Sequence, residues 1–378
     1  MGSIAMIDTI KLAVTYSKRP NWLNRVQAST NRNVTSGVFT AIIDANESYK
    51  RIGVYVPKLI YIEQPATKDR KRTYTLNIEL SLPKLFFGNN FDELTDEQFP
   101  AVVHELHKRL RNVYGLRISE RKLAQSEVAK IDYSKNIIFT DRTPVSTIIN
   151  AVALAGISKT YDVQKTDFRN GGQIYHIHAN IIDIAIYDKV ADLKQAKVSE
   201  KRTVEKYNQS QIQLVEELEK HPNVTIPRFE IRLNDKRKIR SELKAVNASE
   251  DLRFHHLFSS DISGAILLRH WNKIFDQIPK AEMVADTATQ ILVSLKQADP
   301  SMKFAEASSM TLMTLLRKEA RDERTVRNLI ESLFSKSQYT RLKNNSRTPP
   351  TKTQLKSLLQ ITETITAMTP VNIEDFVK

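Results

Sequence analysis

The segment from Asn180 to Leu193, NIIDIAIYDKVADL, places a tyrosine and a lysine at the end of an apolar strand. In a β-strand, successive side chains point to opposite faces, so the isoleucines of this segment face one way while Tyr187 and Lys189 face the other. A tyrosine oxygen can attack phosphorus, and a nearby ammonium group can offset charge on a phosphate or favour the phenolate. We therefore take Tyr187 as a candidate nucleophile assisted by Lys189.

Two further segments alternate in the same way and contribute carboxylates. In AKIDYSK, Asp132 shares a side with other polar residues, and in PRFEIRLN, Glu230 lies between Arg228 and Arg232 on the polar side. If the three strands are neighbours, Asp132, Glu230 and Tyr187 converge, and two carboxylates there could hold Mg²⁺ or Mn²⁺. The alternative is that these residues line the solvated face of an antiparallel sheet, for which such alternation is common.

The motif YHIH adds a second candidate set of ligands. His176 and His178 lie on one strand face, and two alternate histidines can bind one metal ion. The pair resembles the His-hydrophobe-His metal motif of one class of DNA-nicking enzymes, but that class usually separates its histidines from its tyrosine by a longer stretch than the one before Tyr187. A hydrogen-bonded histidine pair in a hairpin, metal ligation and DNA contact all stay open.

Clustered basic residues are the candidate DNA contacts. The segment LLRKEARDERTVRNLIESLFSK has arginines at helical three- and four-residue spacing. Together with QYTRLKNNSR, which follows it, the segment could form a helix-turn-helix-like element that reads duplex DNA. Intrahelical salt bridges to Glu319 or Glu323 would give the same pattern, and dimerisation through apolar faces is a rival role. The candidate DNA-binding residues are Lys84, Arg228, Arg232, Arg317, Arg321 and Arg324.

Composition limits the class of protein. The chain has 378 residues, 41% of them hydrophobic, which is enough for one large or two smaller domains with real cores. The net charge of +14 indicates a polyanionic partner, with nucleic acid the leading candidate. Zero cysteines exclude disulfides, thiol catalysis and cysteine-bound zinc. The sequence contains neither a signal-peptide pattern nor an apolar run of membrane-spanning length, so we expect a cytoplasmic location without membrane partners.

The order of predicted elements indicates an α+β fold. Residues 6 to about 90 are rich in strand patterns, a capped helix follows up to Gly115, and strands and helices then alternate irregularly, with one long helix expected from about Val190 to Lys220. Strand patterns stop after about residue 255. We predict an antiparallel sheet with helices on one face over residues 6–250, then an all-helical domain over 262–378, with the boundary between 246 and 262.

The order of five motifs resembles the gene II replication initiator family of filamentous phages and its plasmid and prophage relatives. It is more distantly similar to the trans-acting rolling-circle initiators of plasmids. The matching segments are MIDTIKL at 6–12, IELSLPKLFFGNN at 78–90, VAKIDYSKN at 128–136, IAIYDKVADL at 184–193 and RFEIRLN at 228–234.

This resemblance implies a function and assigns residue roles. Tyr187 would nick one DNA strand at the replication origin, with Lys189 beside it, and Asp132 and Glu230 would hold Mg²⁺ or Mn²⁺. Glu79 is a further candidate ligand. The expected partners are single-stranded or supercoiled origin DNA, a host helicase and other copies of the chain. Two other classes stay open, namely an origin-binding repressor that does not cut and a His-hydrophobe-His relaxase or transposase.

Overall fold

The computed structural model describes residues 5–45, 47–153, 163–169, 174–179, 182–198, 203–278, 287–320, 323–345 and 352–372. Ten strands form one antiparallel sheet within these residues. They are β1 (Ile7–Tyr16), β2 (Ala28–Arg32), β3 (Phe39–Ile43), β4 (Lys58–Gln64), β5 (Thr73–Ser81), β6 (Glu127–Asn136), β7 (Val163–Arg169), β8 (Ile174–Ala179), β9 (Ile182–Asp188) and β10 (Pro227–Leu233).

The strand order is β2-β3-β4-β5-β1-β6-β10-β9-β8-β7. Strands β1 and β6 are central and join a half built from the first five strands to a half built from the last five. Strand β10 inserts between β6 and β9, although it follows both in sequence. This crossover makes β6, β10 and β9 consecutive neighbours.

The helices of the described residues fall into three sequence regions. The first region holds α1 (Glu47–Arg51), α2 (Leu82–Phe86), α3 (Phe99–Tyr114), α4 (Glu120–Ala124) and α5 (Val145–Ala153). The second holds α6 (Lys189–Val198), α7 (Thr203–Tyr207), α8 (Gln209–Lys220), α9 (Lys236–Ala245), α10 (Phe254–Leu257) and α11 (Ser260–Phe275). The third holds α12 (Ala288–Ala298), α13 (Phe304–Ala320), α14 (Glu323–Leu333), α15 (Lys336–Asn345) and α16 (Lys352–Ala367). Two 3-10 helices cover Asn21–Asn24 and Asp96–Gln98.

The apolar face of the sheet and the helices that cover it form the main core. Ile131, Phe229 and Ile184, from three neighbouring strands, are buried there with residues of α3, α5, α9 and α11. Burying a side chain of this size stabilises a fold by about 1.5–3 kcal/mol, so the face is a major source of stability. The predicted α+β class with an antiparallel sheet and a helical C-terminal region is confirmed.

Local signals explain where two helices begin and end. The predicted capped helix is α3. Its capping box, formed by Thr95 and Gln98, belongs to the short 3-10 helix that precedes α3, and Gly115 caps the C-terminal end of α3. Gly115 has φ +68°, a left-handed conformation that favours glycine. The single long helix expected from Val190 to Lys220 is wrong: three helices cover this stretch, because Asn208 caps α8 by accepting from the backbone N–H of Gln211.

The C-terminal part returns to the sheet domain. Leu358, Ile361 and Ile365 of α16 are buried in the main core, and the Trp271 indole N–H of α11 donates to the Thr362 hydroxyl at 2.8 Å. Helices α12 to α15 instead enclose two small clusters of their own. The domain boundary between 246 and 262 stays a prediction, but residues on both sides of it share the main core. None of the described helices is long and apolar enough to cross a membrane.

Candidate active site

The sheet register brings the predicted residues onto one polar face. On β10, Arg232 lies opposite Asp132 of β6, and Arg228 lies opposite Tyr187 of β9. Glu230 is between these two positions, on the same side of β10. Paired residues in adjacent strands point to the same face, so Asp132, Glu230 and Tyr187 form one surface across β6, β10 and β9.

Asp132 and Glu230 are a buried carboxylate pair, exposed by only 4% and 2%. Burial and the nearby Glu230 charge raise the pKa of Asp132 to about 7. Burial alone would raise the pKa of Glu230, but the charge and hydrogen bond of Arg232 outweigh this effect and lower it. Arg232 Nε donates to Glu230 Oε1 at 2.8 Å. Lys130 Nζ lies 3.2 Å from Asp132 Oδ2. Within the described residues, the buried Asp132 Oδ1 has no hydrogen-bond donor.

Tyr187 lies near the end of β9, where its side chain is partly buried. Loss of water around the phenol raises the pKa of Tyr187 well above its ordinary value, and the Glu230 charge raises it further, while Arg228 opposes the shift. The phenol is therefore protonated at neutral pH. Using it as a nucleophile requires cationic groups that stabilise negative charge on its oxygen.

The alternating pattern predicted that Lys189 lies on the strand with Tyr187. In the structure, Lys189 is instead the first residue of α6. Its side chain is fully buried, and Nζ lies 3.3 Å from Asp192 Oδ2 and 5.9 Å from the centre of the Tyr187 ring. Burial and the like charge of Arg228 lower the pKa of Lys189 to about 7. The turn from β9 into α6 thus places a readily deprotonated amine beside the tyrosine.

Arg228 is a buried link between strands. Its Nε donates to Asn136 Oδ1 and its Nη2 to the Asn90 carbonyl, both at 2.7 Å. Its Nη1 lies 3.8 Å from Asp8 Oδ1. Direct contact of Arg228 with DNA stays a prediction, and its hydrogen bonds give it a positioning role next to Tyr187. Arg232 is partly exposed and paired with Glu230.

Asp8 is a site residue that the sequence analysis did not identify. It lies where the β1–β6 register shifts between Ile7 and Thr9, and such a bulge can re-aim a side chain. Besides approaching Arg228, it accepts a hydrogen bond from the Ser81 hydroxyl at 3.4 Å. Its position in the MIDTIKL motif was a signal, but alternation alone could not show that a bulge turns it toward the site.

Two other candidates lie at the edge of this surface. Glu79 is on β5, two strands from Asp132, and pairs with Lys11 at 3.3 Å and Lys130 at 4.0 Å. Lys84 is in α2 and lines a cleft of about 940 Å³ between α2, α3 and the start of α8. The charge of Lys84 also helps to lower the pKa of Lys189.

The histidine pair lies one strand beyond Tyr187. The rings of His176 and His178 on β8 are 5.1 Å apart, and His178 Nδ1 is 3.1 Å from Asp183 Oδ1. Asp183 also accepts from the Asn234 amide at 3.0 Å. These contacts fit a hydrogen-bonded hairpin pair, and metal ligation by the histidines stays a prediction.

Asp132 and Glu230 have donor atoms that suit a hard divalent cation. No group of three or more His, Cys, Asp or Glu side chains in the described part of the chain is arranged to hold a metal ion. Mg²⁺ is commonly held by one or two carboxylates, with water and substrate phosphates completing its shell. The buried Asp132 Oδ1 accepts no hydrogen bond from the described residues and could serve as such a carboxylate ligand, so the residues present are compatible with a divalent cation.

The two other tyrosines of the central motifs lie away from the polar face. Tyr133 and Tyr175 are buried in the main core, and the Tyr133 hydroxyl donates to the Leu257 carbonyl at 3.5 Å.

Of the predicted C-terminal DNA contacts, Arg317 is in α13 and Arg324 in α14, but their side chains lie outside the described part of the chain, as does the whole of Arg321. These contacts stay predictions.

Comparison with known proteins agrees with the sequence resemblance. A family model described as the replication-associated protein G2P N-terminal region matches residues 6–254. Neither a curated protein nor a solved structure matches the chain. The matched range includes Asp8, Asp132, Tyr187 and Glu230 and covers well over half of the 378 residues. Membership supports a replication-initiator role with DNA as the partner. The chain belongs to the replication-associated protein G2P N-terminal family.

Proposed function

We propose that this chain initiates rolling-circle replication by cutting one strand of origin DNA with Tyr187 and later rejoining the displaced strand. The observation that carries this proposal is the convergence of Tyr187, Asp132 and Glu230 on adjacent strands, within the range matched by a replication protein family. The net charge of +14 is consistent with a DNA substrate.

The reaction is a transesterification. The Tyr187 oxygen attacks the scissile phosphorus, the bond from phosphorus to the 3′ oxygen breaks, and the phenol proton is lost while the leaving oxygen gains one. The products are a 5′-phosphotyrosine and a 3′ hydroxyl that can prime synthesis. Attack of a 3′ hydroxyl on the phosphotyrosine reverses the step, so rejoining needs no external energy source.

The residues around Tyr187 have distinct roles in this proposal. Arg228 stabilises negative charge on the phenol oxygen, and Lys189 offsets charge on the phosphate or favours the phenolate. Asp132 and Glu230 would hold a Mg²⁺ or Mn²⁺ ion, which when bound polarises the phosphate. The site should prefer unpaired DNA, because a duplex hides the scissile phosphate from a nucleophile on a sheet. A host helicase is the expected partner for unwinding the nicked origin.

The decisive experiment is a nicking assay on supercoiled DNA of the replicon that encodes the chain, with Mg²⁺ or Mn²⁺, followed by denaturing gel analysis of covalent adducts. We expect an adduct with the wild type and none with Tyr187→Phe. Tyr207→Phe is the matched control, because Tyr207 is an exposed tyrosine at the end of α7. An adduct that survives in Tyr187→Phe would refute the assignment of the nucleophile. Binding without cutting would favour a repressor.

The histidine class of nickases is a second candidate, favoured by the proximity of His176 and His178 on the polar face. Mn²⁺ binding measured by calorimetry separates the two. Our proposal expects the affinity to fall in Asp132→Asn and Glu230→Gln and to persist in a His176→Ala, His178→Ala double variant. The opposite pattern would assign the metal to the histidines.

A further inference from the structure

Helices α13, α14 and α15 form a small bundle that the matched family range does not include. Each of the three helices contacts the other two. Their shared cluster contains Met313 from α13, Val326 and Ile330 from α14, and Tyr339 from α15. Leu316 and Leu342 pack against it. The bundle therefore has an apolar core that is separate from the core beneath the sheet.

The connection between α14 and α15 is a tight turn. Helix α14 ends at Leu333 and α15 begins at Lys336, which leaves only Phe334 and Ser335 between them. The Ser335 hydroxyl accepts from the backbone N–H of Gln338 at 3.3 Å, and this contact caps the start of α15. Two helices joined by a short turn and packed against a third helix resemble helix-turn-helix DNA-binding units, in which a turn of about three or four residues joins the two helices.

The outer face of α15 carries side chains suited to reading bases. Tyr339 and Leu342 point into the bundle core, whereas Ser337, Gln338 and Arg341 are exposed. Arg341 follows Ser337 by four positions and Gln338 by three, so the three exposed residues share one side of the helix. Glutamine pairs with adenine and arginine with guanine in the major groove, and the N-terminal residues of a recognition helix are those that reach base edges.

The charge around α15 is suited to a polyanion. From Ser332 to Thr362 the sequence has six lysines and arginines and no aspartate or glutamate, the six being Lys336, Arg341, Lys343, Arg347, Lys352 and Lys356. The region of Arg317 and Arg324 differs, because acidic residues are interspersed there. Helix α15 itself carries Lys336, Arg341 and Lys343 and no carboxylate, so it presents cations to the phosphates of a duplex.

We propose that α15 is a recognition helix that binds the major groove of duplex DNA, with Gln338 and Arg341 reading base edges. This site is distinct from the polar face of the sheet. It extends the proposed function, because a nickase that cuts unpaired DNA at one origin needs a means of selecting the duplex that contains that origin.

Selection from a pool of randomised duplexes tests the proposal directly. The full chain carrying Tyr187→Phe is used, so that binding is measured without cutting. We expect one sequence to be enriched. On that duplex, Gln338→Ala and Arg341→Ala should each raise Kd by about 5-fold to 150-fold at constant salt, measured by fluorescence anisotropy. Arg117→Ala, which removes an exposed arginine outside α15, is the matched control and should change Kd much less.

The outcomes also separate this proposal from the proposed function. Failure of the wild type to form a tyrosine adduct, with selection intact, would remove the nickase and leave the recognition helix. No enrichment, or equal effects of Arg341→Ala and Arg117→Ala, would overturn the recognition helix and leave the nickase.

The apolar residues Leu333 and Phe334 are exposed beside the turn. If Phe334→Ser changes the sedimentation coefficient while Gln338→Ala and Arg341→Ala bind DNA normally, the surface contacts protein and our proposal is wrong.

Discussion

Lys189 is a fully buried lysine whose position costs free energy. The pKa of Lys189 is about 7 in the folded chain and 10.5 for an ordinary lysine, as in the unfolded chain. Between these two pH values, the unfolded chain therefore binds more protons than the folded chain. Stability rises with pH wherever the unfolded state binds more protons. The penalty from Lys189 is therefore complete below pH 7 and is relieved as the pH rises toward 10.5.

Replacing this amine by an apolar group of similar length should separate stability from activity. We expect Lys189→Met to raise the free energy of unfolding at pH 6.5 and to flatten its pH dependence, because it removes a buried charge while Asp192, its ion-pair partner, keeps some contact with solvent. It should also slow nicking by about 100-fold. Urea unfolding at pH 6.5 and 8.5 measures the first effect. Lys194→Met, at an exposed position of the same helix, is the control and should change neither. Destabilisation by Lys189→Met would contradict this account.

The open oxygen of Asp132 leads to a prediction about metal affinity. Asp132→Asn should weaken Mn²⁺ binding by about 10-fold to 100-fold or more, because it removes a negatively charged donor from the carboxylate pair. Glu79→Gln is the matched control, since Glu79 is two strands away and paired with Lys11. Titration calorimetry of the full chain measures both. Equal losses in the two variants would place Glu79 among the ligands.

At the level of elements, the active site depends on the insertion of β10 between β6 and β9. Arg228 stabilises that insertion, because it binds Asn136 of β6 and Asn90 after α2 and approaches Asp8 of β1. The same side chain lies opposite Tyr187. Strand pairing and the placement of the nucleophile are thus coupled through one buried guanidinium.

Removing this guanidinium should destabilise the chain strongly. We expect Arg228→Ala to lower the free energy of unfolding by about 3–5 kcal/mol, because the partly buried Asp8 carboxylate and two hydrogen-bond acceptors lose their partner. Arg237→Ala is the control, since the Arg237 side chain is mostly exposed, and it should change stability by no more than about 0.5 kcal/mol. Urea unfolding followed by circular dichroism measures both. Similar values for the two variants would exclude a linking role for Arg228.

At the level of the whole molecule, the chain after α16 closes onto the sheet domain. Lys135 Nζ forms a buried ion pair with Glu93 at 2.5 Å and donates to the Thr369 carbonyl at 2.8 Å. Glu93 accepts from the backbone N–H of Val371 at 3.1 Å, and Val371 is buried beside Phe91. Residues 352–372 are therefore part of the same packed body as the sheet, whereas α12 to α15 pack among themselves.

Two positions of α16 test this integration. Ile361 is 2% exposed and lies in the main core, whereas Leu359 is 45% exposed on the same helix. Ile361→Ala should lower the free energy of unfolding by about 2–5 kcal/mol, and Leu359→Ala by about 0.5 kcal/mol or less. Thermal unfolding of both variants measures the difference. A neutral Ile361→Ala would mean that α16 is independent of the sheet domain.

Local patterns in the sequence were enough to predict which residues share one face of a strand. Strand alternation separated polar from apolar sides in β6, β9 and β10, and capping residues indicated α3. Five motifs in order also identified the family, which the matched range confirms. These signals are local, because they depend on residues only a few positions apart.

The identity of neighbouring strands and the burial of polar groups become visible only in the folded chain. Arg228 binds Asn136, 92 positions away, and Asp8 faces the site through a bulge in β1. The burial of Lys189 depends on α6 starting one residue after the strand ends. Such features arise from contacts between distant segments, whose free energies depend on the whole packed chain. Periodicity within one segment contains no information about its partners, and it therefore could not predict them.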